Sequence, residues 1–354
     1  MKKILLFTTG GTIASKEGNN GLEPEMDANE LLSYMGDLAN RYDITCRELL
    51  SLDSSNIQAE EWRKIARNIF ENLEPYDGIV VTHGTDTMAY TASMLSFMLQ
   101  NLKVPVVLTG SQMPIDNMLT DARNNLYAAF AAIDAGIAGV SVAFNRRIML
   151  GCRAVKVRTL GFEAFESVNA PYLAEVFANG MRRYHEPEKP VPGSRPGTGA
   201  SSSEGHHPAV LKDSISTDVF LLKLIPNTKP AIFDALQKLG YKGIVLEAFG
   251  AGGLHFFRRN LLEKLEQLTK AGISVVACSQ CLYEPSDFSI YEVGRRLLEC
   301  GVIPGRDMTT EAAVTKTDVG ARPDTGSKRS AENFRYGYCR RGFYKRRLTY
   351  QTAI

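Results

Sequence analysis

Three apolar runs, Ile4-Leu5-Leu6-Phe7, Gly78-Ile79-Val80-Val81 and Pro105-Val106-Val107-Leu108, each end in a turn of glycine and hydroxyl residues. The turns read Thr8-Thr9-Gly10-Gly11-Thr12, Thr82-His83-Gly84-Thr85-Asp86-Thr87 and Thr109-Gly110-Ser111-Gln112. Strands that are apolar without alternation are buried on both faces, the condition of a parallel sheet covered by helices. The carboxyl ends of such a sheet are where ligands bind. Helical patterns at Met26 to Tyr42, Gln58 to Leu73, Met88 to Leu102 and Thr120 to Gly136 separate the strands, and Gly139 to Phe144 adds another strand. This order predicts a three-layer α/β domain with small donors and acceptors along one edge of its sheet.

The chain has 354 residues, room for two domains with separate cores. Residues 186–216 carry Pro187, Pro190, Pro192, Gly193, Pro196, Gly197 and Ser201-Ser202-Ser203, a linker composition, and His206-His207 within it reads as solvated. Strand patterns resume at Val219 to Leu224, Lys242 to Leu246 and Ile273 to Ala277. The predicted fold class is therefore α/β, with a larger N-terminal parallel-sheet, Rossmann-like domain (1–185) and a smaller C-terminal α/β domain (217–316). Lys16 to Glu25, with Gly18, Asn19, Asn20, Gly21 and Pro24, reads as a mobile loop able to close over Thr12.

Charged residues make up 23% and the formal charge is +2, which gives no pull toward nucleic acid or a membrane surface. Met1-Lys2-Lys3 is followed by only a short apolar run, below a secretory signal's 7–15-residue hydrophobic region, so a cytoplasmic protein is expected. No stretch approaches the roughly 20 apolar residues of a membrane span. Cys46, Cys152, Cys278, Cys281, Cys300 and Cys339 are scattered, as suits reduced thiols. Cys278-Ser-Gln-Cys281 has redox or zinc spacing but no second pair, so neither metal nor cofactor is expected.

Gly10 and Gly11 allow a closeness of approach that any side chain would block, and they present Thr12. Taken alone, this turn is equally a strand-to-helix link with a threonine N-cap. A phosphate loop fits worse, because the Gly-Lys-Ser/Thr ending and the G-x-G-x-x-G spacing are both missing. Thr85 beside Asp86 offers a second hydroxyl with a carboxylate. By residue type alone Lys156 is a surface lysine, and Asp53-Ser54-Ser55-Asn56 is an ordinary turn.

With Thr9 to Ile13, His83-Gly84-Thr85-Asp86-Thr87-Met88, Thr109 to Gln112, Asp53 to Asn56, Lys156 after Arg153-Ala154-Val155, and Tyr291-Glu292-Val293-Gly294-Arg295-Arg296 all present, the chain resembles the bacterial L-asparaginase family, within it the short cytoplasmic type I group. The resemblance covers residues 1–185 and 217–316. It implies hydrolysis of L-asparagine to L-aspartate and ammonia by a threonine-nucleophile double displacement. Thr12, Thr85, Asp86 and Lys156 would be catalytic. Ser54 and nearby backbone, with Asp53 and Ser55 alongside, would hold the substrate α-carboxylate and Asp86 its α-ammonium, with Thr85 also among the substrate-binding residues. Which threonine attacks first, and which group is the base, stays open. A homo-oligomer, usually a tetramer, is implied as well. Two other readings share the fold: the asparaginase-like subunit of a tRNA-dependent amidotransferase, and an inactive amino-acid sensor. The amidotransferase subunit carries an extra N-terminal domain, whereas here a strand begins at residue 3.

Three departures from the family pattern stand out. Leu22 occupies the lid position where many members carry a tyrosine, and Glu247 the position where some type I enzymes carry an arginine for allosteric control by asparagine. After Lys316 the family continues Leu-Met-Trp-Ala-Leu-Gly, but this chain reads Thr317-Asp318-Val319-Gly320-Ala321-Arg322-Pro323. A permissible set of codons for this segment, less its first base, encodes the family helix, so one extra base near the Lys316 codon is expected. Residues 317–354 are accordingly expected to be an irregular, aberrant tail, which resequencing of that codon would test.

Overall fold

A computed structural model of the chain describes residues 1–18, 21–24, 26, 28–184 and 208–320. The larger sheet has eight strands: β1 (Lys2–Gly10), β2 (Tyr42–Leu52), β3 (Gly78–Thr82), β4 (Pro105–Thr109), β5 (Gly139–Phe144), β6 (Arg147–Leu150), β7 (Ala174–Phe177) and β8 (Gly180–Arg183). Their spatial order is β8-β7-β6-β5-β4-β3-β1-β2. Strands β1 to β5 are parallel, while β6, β7 and β8 each pair antiparallel with the strand before, so the sheet expected to be parallel is mixed at one edge. The reversal happens at Asn145-Arg146, where φ of 45° and 62° makes a two-residue hairpin turn that cannot lead into a helical crossover.

Both faces of the sheet are covered because its inner strands have no polar face to expose. All residues of β3 and β4 are buried. Leu5 and Phe7 pack with helices α1 (Ala59–Glu71) and α2 (Met88–Met98) on one side, whereas Ile4 and Leu6 pack with α3 (Ala122–Asp134) on the other. Each such fully buried side chain stabilises the fold by about 1.5–3 kcal/mol. The chain runs from β1 outward to β2 and then returns across β1 to β3, so the order reverses between β1 and β3. A crevice therefore opens at the carboxyl ends of these two strands. Thr8 pairs with Thr82 and Thr82 with Thr109, which brings the three glycine turns level.

The smaller sheet is parallel throughout, in the order β9 (Val219–Lys223), β10 (Gly243–Ala248), β11 (Ser274–Ser279), β12 (Ile303–Pro304). Its helices are α4 (Ala231–Lys238), α5 (Leu261–Lys270), α6 (Glu292–Glu299) and α7 (Thr310–Gly320). Helix α7 joins the two sheets' domains: Ala313 packs with Val245 and Val276 of the small sheet, and Ala312 packs with Phe97 of α2.

Several local expectations are corrected. Met26 to Tyr42 is not one helix but two short ones, Ala28–Ser33 and Gly36–Ala39, and Tyr42 already belongs to β2, a strand whose mixed exposure hid it. The Lys16 to Glu25 segment, read as a mobile loop, contains most of an antiparallel hairpin, Ser15–Gly18 with Gly21–Pro24. Part of the presumed linker is docked: Val210–Leu211 pairs with Leu99–Gln100, and Arg63 Nη2 donates to the Ile215 carbonyl at 3.0 Å. His206 and His207 lie outside the described residues. The presumed tail is helical through Gly320, with the Thr317 hydroxyl donating to the Ala313 carbonyl at 2.7 Å; residues 321–354 lie outside the described residues. Among the described residues no helix is long and apolar enough to cross a membrane.

Candidate active site

Backbone-to-backbone packing of the turns builds the site. Gly11 has φ 78°, and a Cβ there would collide with the α-carbon and amide of Gly84. A Cβ on Gly84 would in turn lie 2.7 Å from Cβ and Oγ of Ser54, while one on Gly110 would meet the His83 carbonyl. The turns after β1, β2, β3 and β4 are thus pressed together, which only glycine permits at these points. Gly11→Ala is expected to cost about 1–3 kcal/mol of stability through strain and overpacking. A denaturant midpoint equal to that of the parent would show that the turns are not in close contact.

Thr12 opens a 3-10 turn, Thr12–Ala14, and is half-buried. Its hydroxyl donates no hydrogen bond among the described residues. Thr85 is buried and follows Gly84, so each threonine directly follows one of two interlocked glycines. Lys156 reaches Thr85 Oγ1 at 2.8 Å and Asp86 Oδ1 at 2.5 Å through its Nζ. The Thr85 hydroxyl donates to Gln112 Oε1 at 3.2 Å. Thr85 thus accepts from an ammonium while its own proton points to an amide oxygen, an arrangement that favours alkoxide character on Oγ1. The Lys156 side chain is only 17% exposed, against 62% for Asp86, so the carboxylate looks outward into the crevice mouth.

Ser54 is buried and belongs to the 3-10 turn Ser54–Asn56, which Asp53 caps by accepting the Ser55 amide at 2.7 Å. Thr87 fastens that turn to the β3 turn by donating to the Ser54 carbonyl at 2.7 Å. Asp53 and Ser55 are exposed. The residues singled out in the sequence therefore fall into a Thr85-Asp86-Lys156 cluster, a Ser54 turn against Gly84, and Thr12 beyond Gly11.

Sequence reasoning missed the residues beneath these. His83 is fully buried; burial lowers its pKa from 6.5 to about 4, so the imidazole is neutral. Its Nδ1 lies 2.7 Å from the Gly84 carbonyl, which fixes Nδ1 as the donor and leaves Nε2 to accept from Thr91, 2.9 Å away. Trp62 Nε1 donates to the same hydroxyl at 3.0 Å, so a chain from α1 through α2 fixes the Gly84 peptide. Gln112 is held likewise. Buried Asp121 accepts the Gln112 amide at 3.0 Å and the Met113 amide at 3.2 Å, and Asn125 at 3.0 Å. Burial raises the Asp121 pKa in spite of these donors. The signal was present in His83 itself, a titratable residue inside an otherwise small-residue turn. Asp121 gave none.

Of the other candidates, Cys278 is buried in β11 and Cys281 exposed, both as free thiols. Glu247 lies in β10, accepts from the Thr310 hydroxyl at 2.5 Å and pairs with Lys223 at 3.5 Å. Leu22 lies on the second strand of the hairpin.

Residues 3–189 match the family described as "Asparaginase, N-terminal", and residues 218–330 match "Glutaminase/Asparaginase C-terminal domain". The chain is 42% identical over 317 residues to an L-asparaginase of Thermococcus kodakarensis, covering 89% of this chain and 91% of that one. It is 33% identical over 320 residues to L-asparaginase 1 of Escherichia coli K12, covering 89% and 90%. Among solved structures, the thermostable L-asparaginase from Thermococcus kodakarensis superposes with a TM-score of 0.84 at 39% identity, over 95% of this chain and 97% of that one. With both domains matched and the threonine, aspartate and lysine residues gathered at one crevice, the chain belongs to the asparaginase family.

Proposed function

We propose that this chain hydrolyses L-asparagine to L-aspartate and ammonia by a double displacement on threonine. The observation that carries the reading is the Lys156 ammonium placed between Thr85 Oγ1 and Asp86 Oδ1 at the switch point of the large sheet. Thr12 Oγ1 adds to the side-chain amide carbon of the substrate, the C–N bond breaks, and the nitrogen leaves as ammonia with a transferred proton. Water then cleaves the resulting ester, assisted by Thr85 with Lys156, and aspartate is released. Backbone N–H groups of the glycine turns stabilise the oxyanion in both steps. Ser54, with Asp53 and Ser55, receives the α-carboxylate, and Asp86 the α-ammonium group.

Ammonia release by the purified protein from L-asparagine and from L-glutamine tests this. Inactivity of a folded sample on both would reject hydrolysis in favour of an amino-acid sensor. One methylene is worth only about 1–3 kcal/mol in a pocket, so modest activity on glutamine is compatible with the reading. Lys156→Met is expected to lower kcat at least about 100-fold with a much smaller change in KM, because its charge acts when an alkoxide develops. An effect confined to KM would make Lys156 a binding residue instead. A cytoplasmic location is part of the same proposal, supported by the likeness to a solved structure described as a probable cytoplasmic L-asparaginase from Campylobacter jejuni (27% identity, TM-score 0.76), as is the homo-oligomer that the family resemblance implies, which sedimentation would measure.

A further inference from the structure

Lys156 ends the first strand of a two-stranded ribbon, Ala154–Lys156 against Phe165–Ser167, paired Ala154↔Ser167, Val155↔Glu166 and Lys156↔Phe165. So short a pairing is marginal by itself, and a slip of one residue would turn Lys156 to the opposite face. Ala154 and Phe165 bury one face of the ribbon in the core of the large domain, with the Phe165 ring 4.9 Å from that of Phe144; polar anchors come from the other domain.

Arg153, immediately before the first strand, donates to the Asp307 main-chain carbonyl and, at 3.0 Å, to Asp307 Oδ2. That ion pair is mostly buried, with 10% and 23% side-chain exposure. Asn169, just past the second strand, donates from Nδ2 to the same Asp307 carbonyl at 3.1 Å and accepts at Oδ1 from the Glu284 amide at 2.8 Å. Tyr283 donates its hydroxyl to Glu166, whose other oxygen accepts from Arg158 at 3.0 Å. Asp307 is itself held, because the Ser286 amide and hydroxyl both donate to the preceding Arg306 carbonyl, at 3.0 Å and 2.8 Å. Both strands of the lysine ribbon are therefore fastened to the C-terminal domain at the end of the ribbon opposite Lys156, through Arg153 and Asn169, and again at Glu166.

We infer that Asp307 and Asn169 are positioning residues for the Lys156 ammonium: the C-terminal domain holds the ribbon in the register that sets Nζ against Thr85 Oγ1. This rests on the role given to Lys156 under the proposed function. A misplacement of about 1 Å at a catalytic group can cost on the order of 100-fold in rate, so a clamp remote from the crevice has a large lever on turnover without touching substrate.

The test uses the full chain. Asn169→Ala leaves the Arg153–Asp307 ion pair in place, whereas Asp307→Asn removes its charge; each is made alone and together with Lys156→Met, and thermal midpoints are recorded throughout. Asn169→Ala is expected to lower kcat on L-asparagine by roughly 10- to 100-fold with KM nearly unchanged. In the Lys156→Met background the same substitution is expected to cost almost nothing, because residues acting through one group are not additive. Equal losses in both backgrounds, or a loss that only tracks the folded fraction, would overturn the inference. Hydrogen exchange supplies a readout independent of turnover: Asn169→Ala should speed exchange of the Val157 and Val168 amides, which bond to the Ala164 and Arg153 carbonyls, and leave those of β3 and β4 protected. Unchanged exchange would remove the clamp even if the enzyme is active. A wild-type chain inactive on amides, with ribbon exchange still sensitive to Asn169, would instead defeat the proposed function and with it the catalytic purpose of the clamp.

Discussion

Thr12→Ala and Thr85→Ala are each expected to lower turnover of L-asparagine by about 1,000-fold or more, the scale of losing a nucleophile or its activating partner. Both are expected to leave the unfolding free energy within about 1–2 kcal/mol of the parent, since each removes one small hydroxyl side chain. The two hydroxyls are chemically distinct here. Thr85 accepts from the Lys156 ammonium and donates to Gln112, so its oxygen is already polarised toward the alkoxide. Thr12 donates no hydrogen bond among the described residues and stands half-buried at the mouth of the switch point, which suits a group that must move its oxygen onto a carbonyl carbon. If each serves a separate part of the double displacement, the Thr12→Ala/Thr85→Ala double variant loses little more than the worse single one. Near-parental turnover in either single variant would withdraw its assignment, and strictly multiplicative losses would mean that the two threonines act independently.

The parts of this site that were legible in the sequence are those made by local rules. Uninterrupted apolar runs announced β1, β3 and β4, a largely apolar segment announced β5, and the glycine-hydroxyl turns after the first three announced the crevice. The sheet order was not legible. The placement of β1 between β2 and β3 depends on the crossover of the chain after Leu52, and β2 itself, exposed along much of its length, carries no continuous apolar signal. The antiparallel edge came from the positive φ of Asn145 and Arg146, which arginine seldom adopts and which no composition rule would assign there. Asp121 just before α3, Asn125 within it and Thr91 in α2 are polar residues ordinary in sequence; only tertiary packing turns them inward onto Gln112, Gly110 and His83. Lys156 could be assigned only through family resemblance, because its approach to Thr85 spans 71 residues of chain.

Asp318→Met is expected to raise the thermal midpoint strongly at pH 8.5 and very little at pH 4. Asp318 lies on α7 with 8% exposure, and burial, reinforced by Asp218, pushes its carboxyl pKa from 3.8 up to about 8. The folded state therefore holds the proton more tightly than the unfolded chain. Below about pH 4 both states are protonated and the residue costs nothing through ionisation. Between about 4 and 8 the unfolded chain releases its proton while the folded one retains it, so stability falls steadily as pH rises and levels off above 8. A shift of this size corresponds to several kcal/mol, a large part of the roughly 5–15 kcal/mol that holds a typical domain. Glu311 and Asp121 are raised by burial as well, but they are common to both proteins and cancel in the comparison. Methionine is the informative replacement because the alternative reading frame places leucine, methionine and tryptophan at 317 to 319. The helix buries Thr317 and Asp318, and Val319 packs with Phe97, Cys152 and Ala312 between the domains, so three apolar residues would enter positions that already face the core. A chain with that frame restored from residue 317 is expected to exceed even Asp318→Met in stability, at about 1.5–3 kcal/mol for each large side chain fully buried. Thermal midpoints across pH decide both points. A gain from Asp318→Met that does not vary with pH would show that Asp318 is not the titrating group, and equal midpoints for the present and restored chains would show that Thr317-Asp318-Val319 is the native end of this helix.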